Sequence, residues 1–143
     1  MYKIKKRLAG YPFAHRQHTH DGHCKLIHGH NWDFEIELGS SQLDENGFVY
    51  DFGKFKWLKA WLAERFDHTF VISMDDPELE RFKKLWNDGL LNLLVVPSCS
   101  AEGLAKYVFD NVEGGIQENK NVKLLSVTVY EDEKNSATYT GDK

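Results

Sequence analysis

The sequence predicts an α+β domain built on an antiparallel sheet. Three features point there: strict alternation of polar and apolar residues between 26 and 38, apolar stripes at helical spacing after Asp51 and after Ser100, and strand-like segments at both ends. At 143 residues the chain is long enough to bury one core but not two, so a single domain over residues 1–143 is expected.

Residues 2–8 read as a first strand, its basic residues interleaved with Tyr2, Ile4 and Leu8, and Tyr11 to Arg16 continue in extended form. Gln17 to Gly22 is a polar loop. From Leu26 to Leu38 the even positions His28, His30, Trp32, Phe34, Ile36 and Leu38 share one face, and Asn31, Asp33, Glu35 and Glu37 share the other. Asp44-Glu45-Asn46-Gly47 is a turn that should make a hairpin into Phe48-Val49-Tyr50. Asp51 is placed to cap a helix over about 52–66, with Phe52, Phe55, Leu58, Leu62 and Phe66 along one stripe. A shorter helix follows Asp76-Pro77, using Leu79, Phe82 and Trp86, and stops near Gly89. Leu90 to Val96 is either a strand or a packed connection. Ser100 caps a third helix carrying Leu104, Ala105, Val108 and Val112, which should end at Gly114-Gly115. Strands over about 123–132 and 136–140 close the chain.

Composition narrows the partners. Net charge is −4 and the basic residues cluster only at Lys3 to Arg7, which argues against nucleic acid. No apolar stretch approaches the roughly 20 residues needed to span a bilayer. The N-terminus runs straight into a strand pattern with no apolar h-region, so a cytoplasmic location is expected, with Cys24 and Cys99 as free thiols.

Six of the seven histidines, His15, His18, His20, His23, His28 and His30, crowd into the first part of the chain. His28 and His30 lie on the apolar face of one strand, where unpaired imidazoles would lose hydration for no return. With a third imidazole they make a three-nitrogen site that suits Zn2+ and leaves the fourth position open, as a catalytic metal requires. The pattern favours His15 as that third ligand, because Phe13-Ala14-His15 is extended and apolar whereas His18, His20 and His23 occupy the loop. Cys24, four residues before His28, is either a base or nucleophile activated beside a cation or a fourth ligand that closes the site. Cys99 has no comparable surroundings and reads as structural.

Asp67-His68 follows the first long helix. The pair suits either a helix C-terminus or a carboxylate that steers a proton-transferring imidazole. Glu131 continues the inward-facing row of the strand Val127-Thr128-Val129-Tyr130, where an acidic group is rare unless paired. It could accept two hydrogen bonds from the edge of a guanine-like ring.

As an ordered set, these residues resemble the 6-pyruvoyl-tetrahydropterin synthase / 6-carboxytetrahydropterin synthase family over nearly the whole chain. The motifs are Phe13-Ala14-His15, Cys24 with His28-Gly29-His30 and Asn31-Trp32, Asp51-Phe52, Asp67-His68 and Glu131. The resemblance makes His15 the third metal ligand. It implies a T-fold, in which an antiparallel four-stranded sheet carries helices on one face and subunits assemble into barrel-like homo-hexamers, dimers of trimers with active sites between subunits.

The implied substrate is 7,8-dihydroneopterin triphosphate, with Zn2+ held by His15, His28 and His30. Cys24, Asp67 and His68 would be catalytic, while Glu131 and Ser100 would bind substrate. Three residues between Cys24 and His28 match the bacterial branch, which makes 6-carboxy-5,6,7,8-tetrahydropterin, acetaldehyde and triphosphate on the way to queuosine and other 7-deazapurines. The alternatives are the branch that makes 6-pyruvoyl-tetrahydropterin and a non-catalytic zinc-stabilised binding module. A folate-linked branch carries glutamate in place of the cysteine, and Cys24 argues against it.

Two departures stand out. Where the family shows Pro-Thr-Ser/Ala-Glu, this chain has Cys99-Ser100-Ala101-Glu102, which keeps a hydroxyl at 100 and offers no side-chain hydrogen bond at 101. Residues 75–96 make a longer excursion than in the smallest members.

Overall fold

The structure, a computed structural model, describes residues 1–116 and 120–141. Strand β1 (Tyr2–His15) pairs antiparallel with β2 (His28–Ser40), β2 with β5 (Lys123–Tyr130), and β5 with β6 (Ser136–Tyr139). These are the four antiparallel strands expected.

Two more strands extend the sheet beyond β1. Strand β3 (Thr69–Ser73) runs parallel to β1, and β4 (Asn92–Val96) runs parallel to β3, giving the order β4-β3-β1-β2-β5-β6. The sheet is therefore six-stranded and mixed, a correction to the four-stranded antiparallel expectation. All five residues of β3 are buried, so the strand lacks the alternation that reveals a half-exposed one. The ambiguous run at Leu90 to Val96 resolves into β4.

Burial follows the predicted face of β2. Trp32, Phe34, Ile36 and Leu38 are at most 1% exposed and pack beneath α1 (Lys56–Phe66) and α3 (Ala101–Ile116). Those helices supply Leu58, Leu62 and Phe66, and Leu104, Ala105, Val108 and Val112. The third helix, α2 (Leu79–Asn87), lies elsewhere. Val71 of β3 joins the main core, whereas its neighbours Phe70 and Ile72 point the other way into a second cluster with Phe82 and Leu93. Helices thus cover both faces at the β3/β4 end, and the 75–96 excursion is the segment that supplies α2 and β4.

Local differences have local causes. Tyr2–His15 is one long strand bent at Gly10, whose φ of +85° and N–H donated to Asp33 Oδ1 (3.0 Å) mark the register shift between Leu8 and Tyr11. The expected hairpin into Phe48-Val49-Tyr50 does not form. Asp44 Oδ1 gathers the N–H groups of Asn46 and Phe48, and Val49 turns into the core. Asp51 does cap, accepting from the Gly53 N–H at 2.8 Å, but its helix begins as a 3-10 turn (Phe52–Phe55) and Phe52 is exposed. Helix α3 runs through Gly114-Gly115 to Ile116 rather than ending there, and Gly115 makes room for the Trp57 ring, which a Cβ would approach to 2.8 Å.

The β3–α2 turn is tied to the end of β1 by an ion pair. Arg16 Nε and Nη2 donate to the two carboxylate oxygens of Asp76, each at 2.7 Å, and Asp76 Oδ1 also accepts from the Glu78 N–H. Burial pushes the Asp76 carboxyl up, but the Arg16 and Glu78 bonds together hold it below its ordinary 3.8. A carboxyl depressed in the folded state stabilises the fold fully above its unfolded value, and that contribution disappears as pH falls through the folded one. Asp76→Asn is expected to be less stable at neutral pH and to lose part of the acid sensitivity below about pH 4, as read by denaturant midpoints across a pH series.

Candidate metal centre and active site

The β1–β2 register builds the site. His15 stands directly opposite His28, and Phe13 opposite His30, so the three imidazoles collect on the core face where the two strands end. Ring centroids are 4.7 Å apart for His15–His28, 5.1 Å for His28–His30 and 5.6 Å for His15–His30. Trp32 forms the floor, edge-on to His15 at 4.9 Å and to His30 at 5.2 Å. Its indole N–H is satisfied by the Phe13 carbonyl at 3.1 Å.

Backbone carbonyls orient two of the rings. His15 Nδ1 donates to the Cys99 carbonyl at 2.7 Å and His28 Nδ1 to the Leu26 carbonyl at 2.8 Å. A carbonyl only accepts, so each Nδ1 carries the proton and each Nε2 is left as a lone pair. Burial, opposed by the Cys99 bond and aided by the neighbouring imidazoles, lowers the His15 pKa to about 4 and keeps that ring neutral.

Glu131 completes the group. One ligand atom from each of His15, His28, His30 and Glu131 lies within 4.8 Å of the others. Glu131 Oε1 is 3.5 Å from His15 Nε2 and 3.3 Å from His30 Nε2, yet those two buried nitrogens have no hydrogen-bond partner. On His15, a lone pair therefore faces a carboxylate oxygen, an arrangement that is repulsive without a cation between them. The donor set fits a divalent metal ion.

Glu131 follows β5 directly. Its N–H donates to the Asn135 carbonyl at 3.0 Å, and the turn beyond is held by Asp132 Oδ1 accepting from the Lys134 and Asn135 N–H groups. A recess of about 380 Å³, lined by His30, Asn31, Tyr130 and Glu131 among others, opens beside it.

The other predicted site residues fall in three places. Cys24 sits in a 3-10 turn (His23–Lys25), half-buried and free, with its carbonyl accepting from the Gln17 N–H at 2.8 Å. It is not one of the four clustered donors. Ser100 spends its hydroxyl on the N-terminus of α3, accepting from the Gly103 N–H at 3.0 Å, and lies 3.2 Å from the Ser98 hydroxyl.

Asp67 and His68 leave the end of α1. His68 has the left-handed φ of +56°, is pinned by its N–H to the Pro12 carbonyl at 2.8 Å, and pairs through Nδ1 with Asp67 Oδ1 at 2.6 Å. Its side chain is 81% exposed. It borders a 650 Å³ cleft that Pro12, Ala14, Gly29, His30 and Asn31 also line. His68 is not one of the four clustered donors.

Cys99 is a site residue that sequence reasoning missed. Its carbonyl fixes His15, its N–H donates to Ser73 Oγ at 3.0 Å, and its thiol donates to the Arg16 carbonyl at 3.2 Å. No local signal announces a backbone acceptor 84 positions away from its partner.

Comparison with known proteins agrees with this architecture. Residues 3–142 match the family described as 6-pyruvoyl tetrahydropterin synthase. A Rickettsia bellii protein named 6-carboxy-5,6,7,8-tetrahydropterin synthase is 36% identical over 132 residues, covering 92% of this chain and 94% of that one. The crystal structure of an uncharacterised Wolinella succinogenes protein superposes with a TM-score of 0.87 at 23% identity, covering 99% of this chain and 98% of the other. The 6-pyruvoyl tetrahydropterin synthase of Caenorhabditis elegans superposes with a TM-score of 0.65 at 25% identity, covering 99% and 98%.

Proposed function

The chain belongs to the 6-pyruvoyl tetrahydropterin synthase family, and we propose that it is a zinc-dependent 6-carboxy-5,6,7,8-tetrahydropterin synthase. It would convert 7,8-dihydroneopterin triphosphate and water to 6-carboxy-5,6,7,8-tetrahydropterin, acetaldehyde and triphosphate, in the cytoplasm and toward queuosine and related 7-deazapurines. The observation that carries this is the convergence of His15, His28 and His30 on one point, with two buried Nε2 atoms left without partners. The curated relatives named for this reaction, and the spacing of Cys24 from His28, support this branch over the pyruvoyl one.

Zn2+, when bound, polarises the side-chain hydroxyls of the substrate and lowers the barrier to removing their protons. The chain supplies the rest. The Cys24 thiolate takes and returns a proton on the substrate's carbon side chain. His68, oriented by Asp67, is its partner in acid–base transfer. Glu131 accepts the ring N–H and amino group of the pterin and so sets which atoms reach the thiolate. Ser100 contributes a hydroxyl near the ring while holding the start of α3.

Residues 1–143 act as one T-fold pterin-binding domain within a homo-hexamer, a dimer of trimers. In favour of shared sites, the Asp67–His68 pair is exposed and stands outside its own chain's donor group, which leaves it open to a neighbouring subunit. Incubating the zinc-loaded protein with 7,8-dihydroneopterin triphosphate tests the proposal by product mass. Carboxytetrahydropterin with stoichiometric acetaldehyde is expected. Pyruvoyl-tetrahydropterin would move the assignment to the other branch, and unchanged substrate would refute it.

A further inference from the structure

We propose that Glu131 is a displaceable fourth ligand: in the substrate-free protein its carboxylate closes the metal site, and a pterin-type ring draws it away and opens the metal. This rests on the metal-centre reading above and assigns one side chain two alternating partners.

The geometry that points to it is the position of Glu131 Oε1, 3.3 Å from His30 Nε2 and 3.5 Å from His15 Nε2, inside the same donor group as the three imidazoles. A cation between them would reconcile that oxygen with the lone pair of His15 Nε2, which is buried and without a hydrogen-bond partner. A carboxylate beside three imidazoles also supplies the negative charge that a divalent ion favours.

The side chain is free to leave. Glu131 is held through its backbone, by the N–H to Asn135, and by the Asp132-centred turn that follows, so moving its carboxylate breaks none of those bonds. The Glu131 side chain is 29% exposed and borders the 380 Å³ recess. An N–H beside an amino group offers two parallel donors to the same two oxygens. One carboxylate cannot serve the ion and the ring edge together. Ring recognition and opening of the fourth metal position thus become one event, a ligand exchange in which no covalent bond is made and no proton need move.

Cobalt(II) in place of zinc reports the exchange, because d10 zinc has no d–d absorption. The probes are azide, which takes an open position, and unsubstituted pterin, which has the ring edge but no side-chain hydroxyls to bind metal. Glu131→Gln and Glu131→Ala should fold normally by circular dichroism, hold cobalt more weakly by at least the roughly 10–100-fold that loss of a ligand-orienting group costs, and take up azide at concentrations that leave the wild-type spectrum unchanged. Pterin should shift the wild-type cobalt spectrum and admit azide, while leaving both variants' spectra unaltered.

Equal cobalt affinity and equal azide titrations in wild type and variants would overturn the proposal. So would pterin that binds, by quenching of its fluorescence, without changing the wild-type spectrum, and so would pterin that does not bind at all. A wild-type protein that takes up no cobalt would instead refute the metal centre itself, a separate failure visible before any variant is compared.

Discussion

Replacing Cys24 by alanine is expected to leave metal content and fold intact while turnover falls by about 10²–10⁴-fold, the usual contribution of a positioned acid–base group. The residue sits in a short 3-10 turn that buries no side chain, and its structural bond is made by its carbonyl, which alanine keeps. Its sulfur is not among the clustered donors, so the ligand set of His15, His28, His30 and Glu131 survives the change. A zinc-stabilised binding module with Cys24 as its fourth ligand predicts the reverse, loss of metal together with loss of structure. Metal analysis, circular dichroism and a rate measurement on one preparation of Cys24→Ala separate the two outcomes.

His15→Ala should have the second large effect. The substitution removes a donor whose ring is 1% exposed and already neutral, and it leaves the Cys99 carbonyl without the partner it holds at 2.7 Å. Stability is expected to drop by about 1–3 kcal/mol from the unsatisfied carbonyl alone. Metal affinity should fall beyond the roughly 10–100-fold typical of losing a group that merely orients a ligand. His18→Ala, altering a loop histidine outside the donor group, should leave metal affinity unchanged. Equilibrium dialysis against zinc and denaturant unfolding of both variants provide the check.

The parts of this molecule visible in the sequence are those with a local period. The alternation from Leu26 to Leu38 gave the buried face of β2 and placed His28 and His30 on it, and the Ser100 and Asp51 caps stand where side-chain chemistry puts them. Segments buried on both sides carry no period, so Thr69–Ser73 does not read as a strand, and without β3 nothing in the sequence shows a second face for α2 to cover. The hairpin at Phe48 failed for a different reason. A good turn at Asp44 needs no second strand when Val49 finds a place in the core. At the site, His15 was favoured by its apolar extended surroundings, and its opposition to His28 follows from the β1–β2 register. Glu131 joining the metal donors and Cys99 steering His15 depend on backbone placement by distant elements, and no residue pattern encodes either one.

The convergence of three imidazoles on one catalytic ion is tested most directly by X-ray absorption at the zinc edge on purified protein of measured metal content. About one zinc per chain is expected, with a ligand shell of nitrogen and oxygen only, set by His15, His28, His30 and a carboxylate or water. A sulfur scatterer in that shell, or a folded and active protein that holds no zinc, would contradict it.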